Sequence, residues 1–243
     1  PLGTGGARER MVVDEYAAAD QQLERIAAVG RELSVVEGLE PTLARIVALG
    51  EDLLRHCDGA SLMLISRGGV IETPASSSSV AYESDMAQYA TGQGPCLDAV
   101  REHESIVLDD LETDERWPDY RARVLQLGVR SMLSCRLFVT GDSLGVLNLY
   151  SRTPDAFDGY SVQLGRVFAA QASVAMKAAM TEEGLRTAIA SRDVIGQAKG
   201  IVMSRHRVTA DMAFDILDRR SQDRNQKLSK VAEEIVRTGW LPD

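Results

Sequence analysis

Cysteine is scarce: the chain has three in 243 residues, Cys57, Cys96 and Cys135, odd in number and far apart. That spacing excludes a disulfide framework and a zinc ribbon, and it points to a reduced, cytoplasmic protein. No apolar run approaches the ~18 residues that a membrane span needs. The opening stretch, Pro1-Leu-Gly-Thr-Gly-Gly6, has no basic region followed by an apolar one, so it does not read as a signal peptide. Residues 1–11 are expected to form a disordered lead-in. Catalytic signatures are missing as well. The chain has no Gly-x-x-x-x-Gly-Lys phosphate loop and no Gly-x-Ser-x-Gly elbow. His56, His103 and His206 stand alone, without a second ligand at i+3 or i+4, which argues against a metal site. No nucleophile has a recognisable base. An enzyme is therefore not expected, and no cofactor is named by the sequence.

What is present is enough apolar material, 44% of residues, for packed cores. The length fits one large or two ordinary domains. Net charge is −9, unpromising for a nucleic-acid binder, but it is unevenly spread. From residue 187 onward ten basic residues face eight acidic ones, a balance of +2. The remainder holds 17 basic and 28 acidic residues, a balance of −11. Such asymmetry is a hint about partners.

Periodicity predicts the elements. Residues 12–37 read as an N-terminal helix, with Tyr16, Ala19, Leu23, Ile26, Gly30 and Leu33 forming a narrow coiled-coil seam. That seam docks either on another helix or on its own domain. A helix from Pro41 to about residue 55 follows, then strands over 60–66 and 70–73 around a turn at 67–69. Residues 76–79 read as a polar loop. Helices are expected over 82–91 and from Pro95 through residue 100, then a strand over 105–108. A helix after Pro118 ends at Gly128. Strands over 131–139 and 144–150 flank Gly141-Asp142, and a long helix starts near Asp158 and reaches residue 180. This order implies an α+β fold, an antiparallel sheet with helices on its faces.

The last quarter carries three amphipathic segments in succession. They are Arg192-Asp-Val-Ile-Gly-Gln-Ala-Lys-Gly-Ile-Val-Met203, Thr209-Ala-Asp-Met-Ala-Phe-Asp-Ile-Leu217, and Lys227-Leu-Ser-Lys-Val-Ala-Glu-Glu-Ile-Val236 after Ser221-Gln-Asp-Arg-Asn225. In the first, Val194, Ile195, Ala198, Ile201 and Val202 form the buried stripe, with Gly200 and Met203 roughly opposite. Gly200 in mid-helix serves either a close approach from outside or a helix crossing. In the second, Thr209 is read as N-cap, with Ala213, Phe214 and Leu217 facing inward. In the third, Asn225 is read as cap, with Leu228, Val231, Ala232, Ile235 and Val236 inward. These strings resemble the ANTAR domain. The resemblance implies a three-helix module, expected over 181–243 with its connecting helix, that binds RNA hairpins and prevents transcription termination. Two modules together would engage paired hairpin loops, so a homodimer is expected. Arg and Lys suit phosphates, and Ser, Asn and Gln suit base edges. The candidate RNA-binding residues are Lys199, Arg219, Arg220, Ser221, Asn225, Lys227 and Lys230. Capping is the stronger single-residue reading for Ser221 and Asn225. No exposed aromatic platform for base stacking is expected, since Phe214 is read as core and Trp240 is near the end. A DNA-binding helix-turn-helix fits less well, because the turn before the last helix is long and lacks glycine.

A second set of strings lies upstream: Gly92-Gln-Gly-Pro-Cys-Leu97, Asp114-Glu-Arg-Trp-Pro118, Leu127-Gly-Val-Arg-Ser131 and Leu144-Gly-Val-Leu-Asn-Leu-Tyr150. They are similar to strings in GAF domains joined to ANTAR domains in actinobacteria, over residues 38–180. The resemblance implies a sensory domain, with a small-molecule pocket between the sheet and its cover. Tyr89, Cys96, Asp109 and Trp117 are the candidate pocket residues. Cys96 reads first as a small buried hydrophobe and second as a thiol sensor. Together the resemblances imply a signal-responsive antitermination regulator. The alternative is a small-molecule-binding GAF module whose helical tail serves only for dimerisation.

Overall fold

The computed structural model describes residues 24–65, 70–102, 105–139 and 142–240. They fall into two compact units, one ending at Met180 and the other beginning at Thr181. The lead-in expected over 1–11, the helix expected over 12–23, the turn at 67–69 and Gly141 lie outside the described residues.

The first unit is built on a five-stranded sheet. Its strands are β1 (Gly59–Ile65), β2 (Ile71–Ser76), β3 (Ile106–Leu108), β4 (Ser131–Val139) and β5 (Asp142–Ser151), in spatial order β2-β1-β5-β4-β3. Every pairing is antiparallel, giving the α+β class that the element order implies. Alternate side chains leave a strand on opposite faces. Here both faces are apolar. Leu62, Leu64, Leu133, Cys135, Leu147 and Leu149 enter one cluster, and Met63, Met132, Val146 and Tyr150 enter another. This is why β1 reads as an unbroken buried run rather than an alternating one.

The first cluster is completed by helices α1 (residues 24–34), α2 (Leu39–Leu53) and the opening turns of α6 (Gly159–His206). Val29 and Leu33 of α1 are buried in it beside Leu49, Leu53 and Phe168. The described part of the N-terminal helix thus packs on its own domain. The second cluster is covered by α3 (Ser79–Thr91), α4 (Pro95–Glu102) and α5 (Pro118–Val124).

Local chemistry sets the boundaries. Helix α3 begins three residues earlier than expected, because the Ser78 hydroxyl accepts the Ala81 N–H at 3.2 Å and caps it. The expected polar loop correspondingly shrinks, and Ser76 remains in β2. The Gly92-Gln-Gly-Pro string then makes a corner. Gly92 ends α3 with φ 67, and Gly94 takes φ 141 against the Gln88 side chain, where an added Cβ would stand 2.3 Å from Oε1. That same Oε1 accepts the Cys96 N–H at 2.8 Å, locking the start of α4. Helix α6 starts where Asp158 accepts the Ser161 N–H at 2.8 Å. It passes through residue 180 as expected and runs on unbroken to His206. Gly184 and Gly196 weaken helix propensity without breaking the hydrogen-bond ladder.

The second unit holds the rest of α6, α7 (Ala210–Asp223) and α8 (Leu228–Thr238) around a small apolar cluster.

Candidate nucleic-acid interface and sensory core

The second unit is built by three apolar stripes. Ala198 and Val202 of α6, Ala213 and Leu217 of α7, and Val231, Ala232 and Ile235 of α8 are fully buried together. Thr209 caps α7 by accepting the Met212 N–H at 3.4 Å. An ion pair from Arg224 to Glu234, 2.8 Å and half-buried, ties the end of α7 to α8.

Six of the seven candidate RNA-binding residues fall within the twelve positions from Arg219 to Lys230, at the end of α7, the following turn and the start of α8. The seventh, Lys199, is carried by α6, half-buried beside Ala198. Arg219 and Lys227 are exposed, Arg220 is half-buried, and none of the three has an ion-pair partner among the described residues. Lys230 pairs with Glu233 at 2.8 Å, an exposed contact worth little and easily surrendered to a phosphate. Ser221 donates its hydroxyl proton to the Gln226 carbonyl at 2.6 Å, so it braces the turn. Outside the contact, Gly200 has open space: an added Cβ meets nothing within 4 Å. A helix crossing therefore does not explain this glycine.

Three expectations are corrected. Phe214 is not core but 42% exposed. At 100° per residue it lies at the border of the stripe centred on Ala213 and Leu217, and a three-helix unit is too small to wrap that border. Asn225 does not cap α8. It adopts φ 49 in the turn, a left-handed conformation that Asn tolerates, and Lys227 occupies the N-cap position without a side-chain bond. Met203 is not on the outer face but packs against the cluster, where its long flexible side chain reaches back. Trp240, set aside in the sequence reading, is an exposed aromatic with Arg205 lying over its ring.

In the first unit, Cys96 and Trp117 are buried in the apolar cluster on the α3–α5 face, and Tyr89 packs against it half-buried. Asp109 stays exposed at the end of β3, where its carbonyl accepts the Asp155 N–H at 2.7 Å. Trp117 donates its indole N–H to Asp98 at 2.7 Å, and Arg116 lies 4.2 Å over its ring. Burial pushes the Cys96 thiol well above its ordinary value, with the Asp85 charge adding to the effect.

The residue that sequence reading passed over is Asp85. It has no exposed surface, and it accepts hydrogen bonds from Tyr150 Oη, Asn148 Nδ2 at 2.9 Å and Thr73 Oγ1 at 2.8 Å. Thr73 also shares a 2.7 Å hydrogen bond with the Tyr89 hydroxyl. Burial raises the Asp85 carboxyl above the usual carboxylate range, and the hydrogen bonds only partly oppose it. The network gives the covered face a polar centre linked to Tyr89. Two larger cavities open on this unit, one of ≈ 570 Å³ lined by Arg25, Arg55, His56 and Asp155, away from this network, and one of ≈ 800 Å³ lined by Glu40, Glu51 and Tyr82 that reaches it at Thr73. No group of three or more metal-ligating side chains is found among the described residues. No helix among them is long and apolar enough to cross a membrane.

Comparison with known proteins places these units. A model of the GAF domain matches residues 37–177, and a model of the ANTAR domain matches residues 183–236. No curated protein matches the chain. Among solved structures, the GAF domain of an Acinetobacter phosphoenolpyruvate-protein phosphotransferase is 17% identical with a TM-score of 0.54, covering 68% of this chain and 98% of its own. The corresponding GAF domain from Coxiella burnetii is 17% identical with a TM-score of 0.54, covering 67% of this chain and 96% of its own. The free methionine-R-sulfoxide reductase of Neisseria meningitidis, solved with its substrate, is 15% identical with a TM-score of 0.50, covering 68% of this chain and 93% of its own. At these identities the likeness shows the fold alone. GAF and ANTAR are regulatory domains, the first a signal-sensing module and the second the mark of an RNA-binding antitermination regulator. The chain belongs to the GAF family and carries an ANTAR domain behind its GAF domain.

Proposed function

We propose that the protein binds hairpin loops in nascent transcripts through its ANTAR domain, prevents termination there, and does so in response to a signal read by its GAF domain. The observation that carries this reading is the exposed cationic stretch from Arg219 to Lys230, set beside an otherwise acidic chain. Arg219, Arg220, Lys227 and Lys199 supply phosphate contacts without first breaking an ion pair among the described residues. Ser221 and Asn225 offer polar groups to base edges at the turn. The open backbone at Gly200 admits close approach of a strand. The protein works in the cytoplasm, where transcripts are made, and performs no catalysis of its own. In the GAF domain, Tyr89, Cys96 and Trp117 line the face on which a small molecule would act, with Asp85 as its polar centre.

Binding of the full chain to a synthetic two-hairpin RNA at low salt tests the reading. Tight binding that weakens steeply with salt is expected, and Lys199→Ala or Lys227→Ala should each weaken it and flatten the salt slope by about one unit. Indifference of the wild-type chain to that RNA would sink the proposal.

One observation favours a second reading, a GAF module with a helical tail used only for dimerisation. Helix α6 exposes Val167 and Val174 in the first unit and Leu185 and Ile189 in the second. Apolar groups repeated on every copy suit a homodimer. We take the homodimer as part of the first reading too, because paired hairpins need two ANTAR domains.

A further inference from the structure

We infer that Trp240, backed by Arg205, is a stacking platform for an unpaired nucleobase of the bound RNA; this rests on the RNA-binding reading above. Arg205 follows Ala198 by seven positions and Val202 by three, which places it on the core-facing line of α6. The apolar cluster has ended there, and no carboxylate meets the guanidinium among the described residues. The indole does: the Arg205 guanidinium carbon lies 3.8 Å from the centroid of the Trp240 ring.

The chain is turned to bring the ring to this point. Gly239 ends α8 with φ 74, and its N–H donates to the Ile235 carbonyl at 2.7 Å. A Cβ at Gly239 would stand 3.3 Å from Arg205 Nη2, so glycine also gives the guanidinium its room. The Trp240 N–H is then held at 3.2 Å by Thr238 Oγ1. With the guanidinium across one face, the residue is still 65% exposed. A cation set over an indole that keeps this much exposed surface is one half of a sandwich that a base would complete.

Charge selects a polyanion over an apolar peptide. Arg205 stands in the last turn of α6, Arg207 follows just beyond it, Arg237 stands in the last turn of α8, and none of the three is ion-paired among the described residues. The acids of α8 are already engaged, Glu233 by Lys230 and Glu234 by Arg224. Stacking tolerates any base, so the platform contributes affinity for unpaired nucleotides rather than sequence choice.

The test is a fluorescence titration of the full chain with the same two-hairpin RNA. The only other tryptophan, Trp117, is buried and hydrogen-bonded, so quenching reports Trp240. RNA should quench the wild-type emission, and the quenching should vanish in Trp240→Phe. That variant retains an aromatic face and should bind within about threefold of wild type, which separates a lost stack from a folding defect. Trp240→Ala should bind about tenfold more weakly, with an unchanged slope of log K against log salt because no phosphate contact is removed. Equal affinity of wild type and Trp240→Ala, or quenching that persists in Trp240→Phe, overturns the platform and leaves the RNA-binding reading standing. A wild type that ignores the RNA overturns that reading and the platform with it.

Discussion

A carboxyl group without exposed surface, such as Asp85, ties folding to protons. In the unfolded chain it titrates near the ordinary value of about 3.9. In the fold its pKa is raised, chiefly by burial. Between these two values the folded state holds a proton that the unfolded chain has lost. The contribution is therefore fully present below about pH 4 and is lost as pH rises through the folded value. Asp85→Asn keeps an acceptor for Tyr150 and Asn148 and removes the titration. Urea midpoints of the wild type should fall more steeply than those of the variant as pH rises above about 4, and parallel curves would refute the assignment. Asp85→Ala strands the donors from Tyr150, Asn148 and Thr73 and should cost about 3 kcal/mol or more. Nothing in the sequence announces this residue. Ala81, Ser84, Asp85 and Gln88 all lie on the buried face of α3, yet a polar stripe at helical spacing reads as a solvent face. Only the donors brought in from β2 and β5 make that stripe interior, and their pairing is set by the tertiary fold.

Elements were legible where one face alone was apolar. Helix α8 places Val231, Ala232 and Ile235 inward at the spacing its sequence predicts. Legibility failed at borders and ends. Phe214 sits at the edge of a stripe too narrow to cover it, and Asn225 served a left-handed turn instead of a cap. Helix α6 crosses Gly184 and Gly196 because a single glycine lowers helix propensity by only about 1 kcal/mol, which a long helix absorbs. The same magnitude makes Gly200 informative. Since an added Cβ meets nothing, Gly200→Ala should raise stability by roughly 0.5–1 kcal/mol in thermal or urea unfolding. If a strand of RNA lies against that backbone, the same variant should bind RNA more weakly. A stabilised variant with undiminished affinity would remove Gly200 from the interface.

For the whole molecule, the division of labour was readable from charge and motif, with an acidic first domain and a cationic tail. Association of two copies was expected on the strength of the resemblance alone, and the exposed apolar groups of α6 are where the proposed homodimer is tested. In sedimentation the wild type should run as a dimer. Val174→Glu and Ile189→Glu, at positions 64% and 62% exposed, should shift it toward monomer while the helical circular dichroism of the folded chain is retained. A monomeric wild type would contradict the homodimer. One further property of the molecule follows from where its sulfur is kept. The thiols of Cys57 and Cys135 are pushed up to about 12, chiefly by burial, and that of Cys96 well above its ordinary value. Thiolate is therefore scarce at neutral pH. Peroxides and alkylating agents thus meet almost no reactive anion while the GAF domain is closed, and the rate at which they modify the protein becomes a clock for its opening.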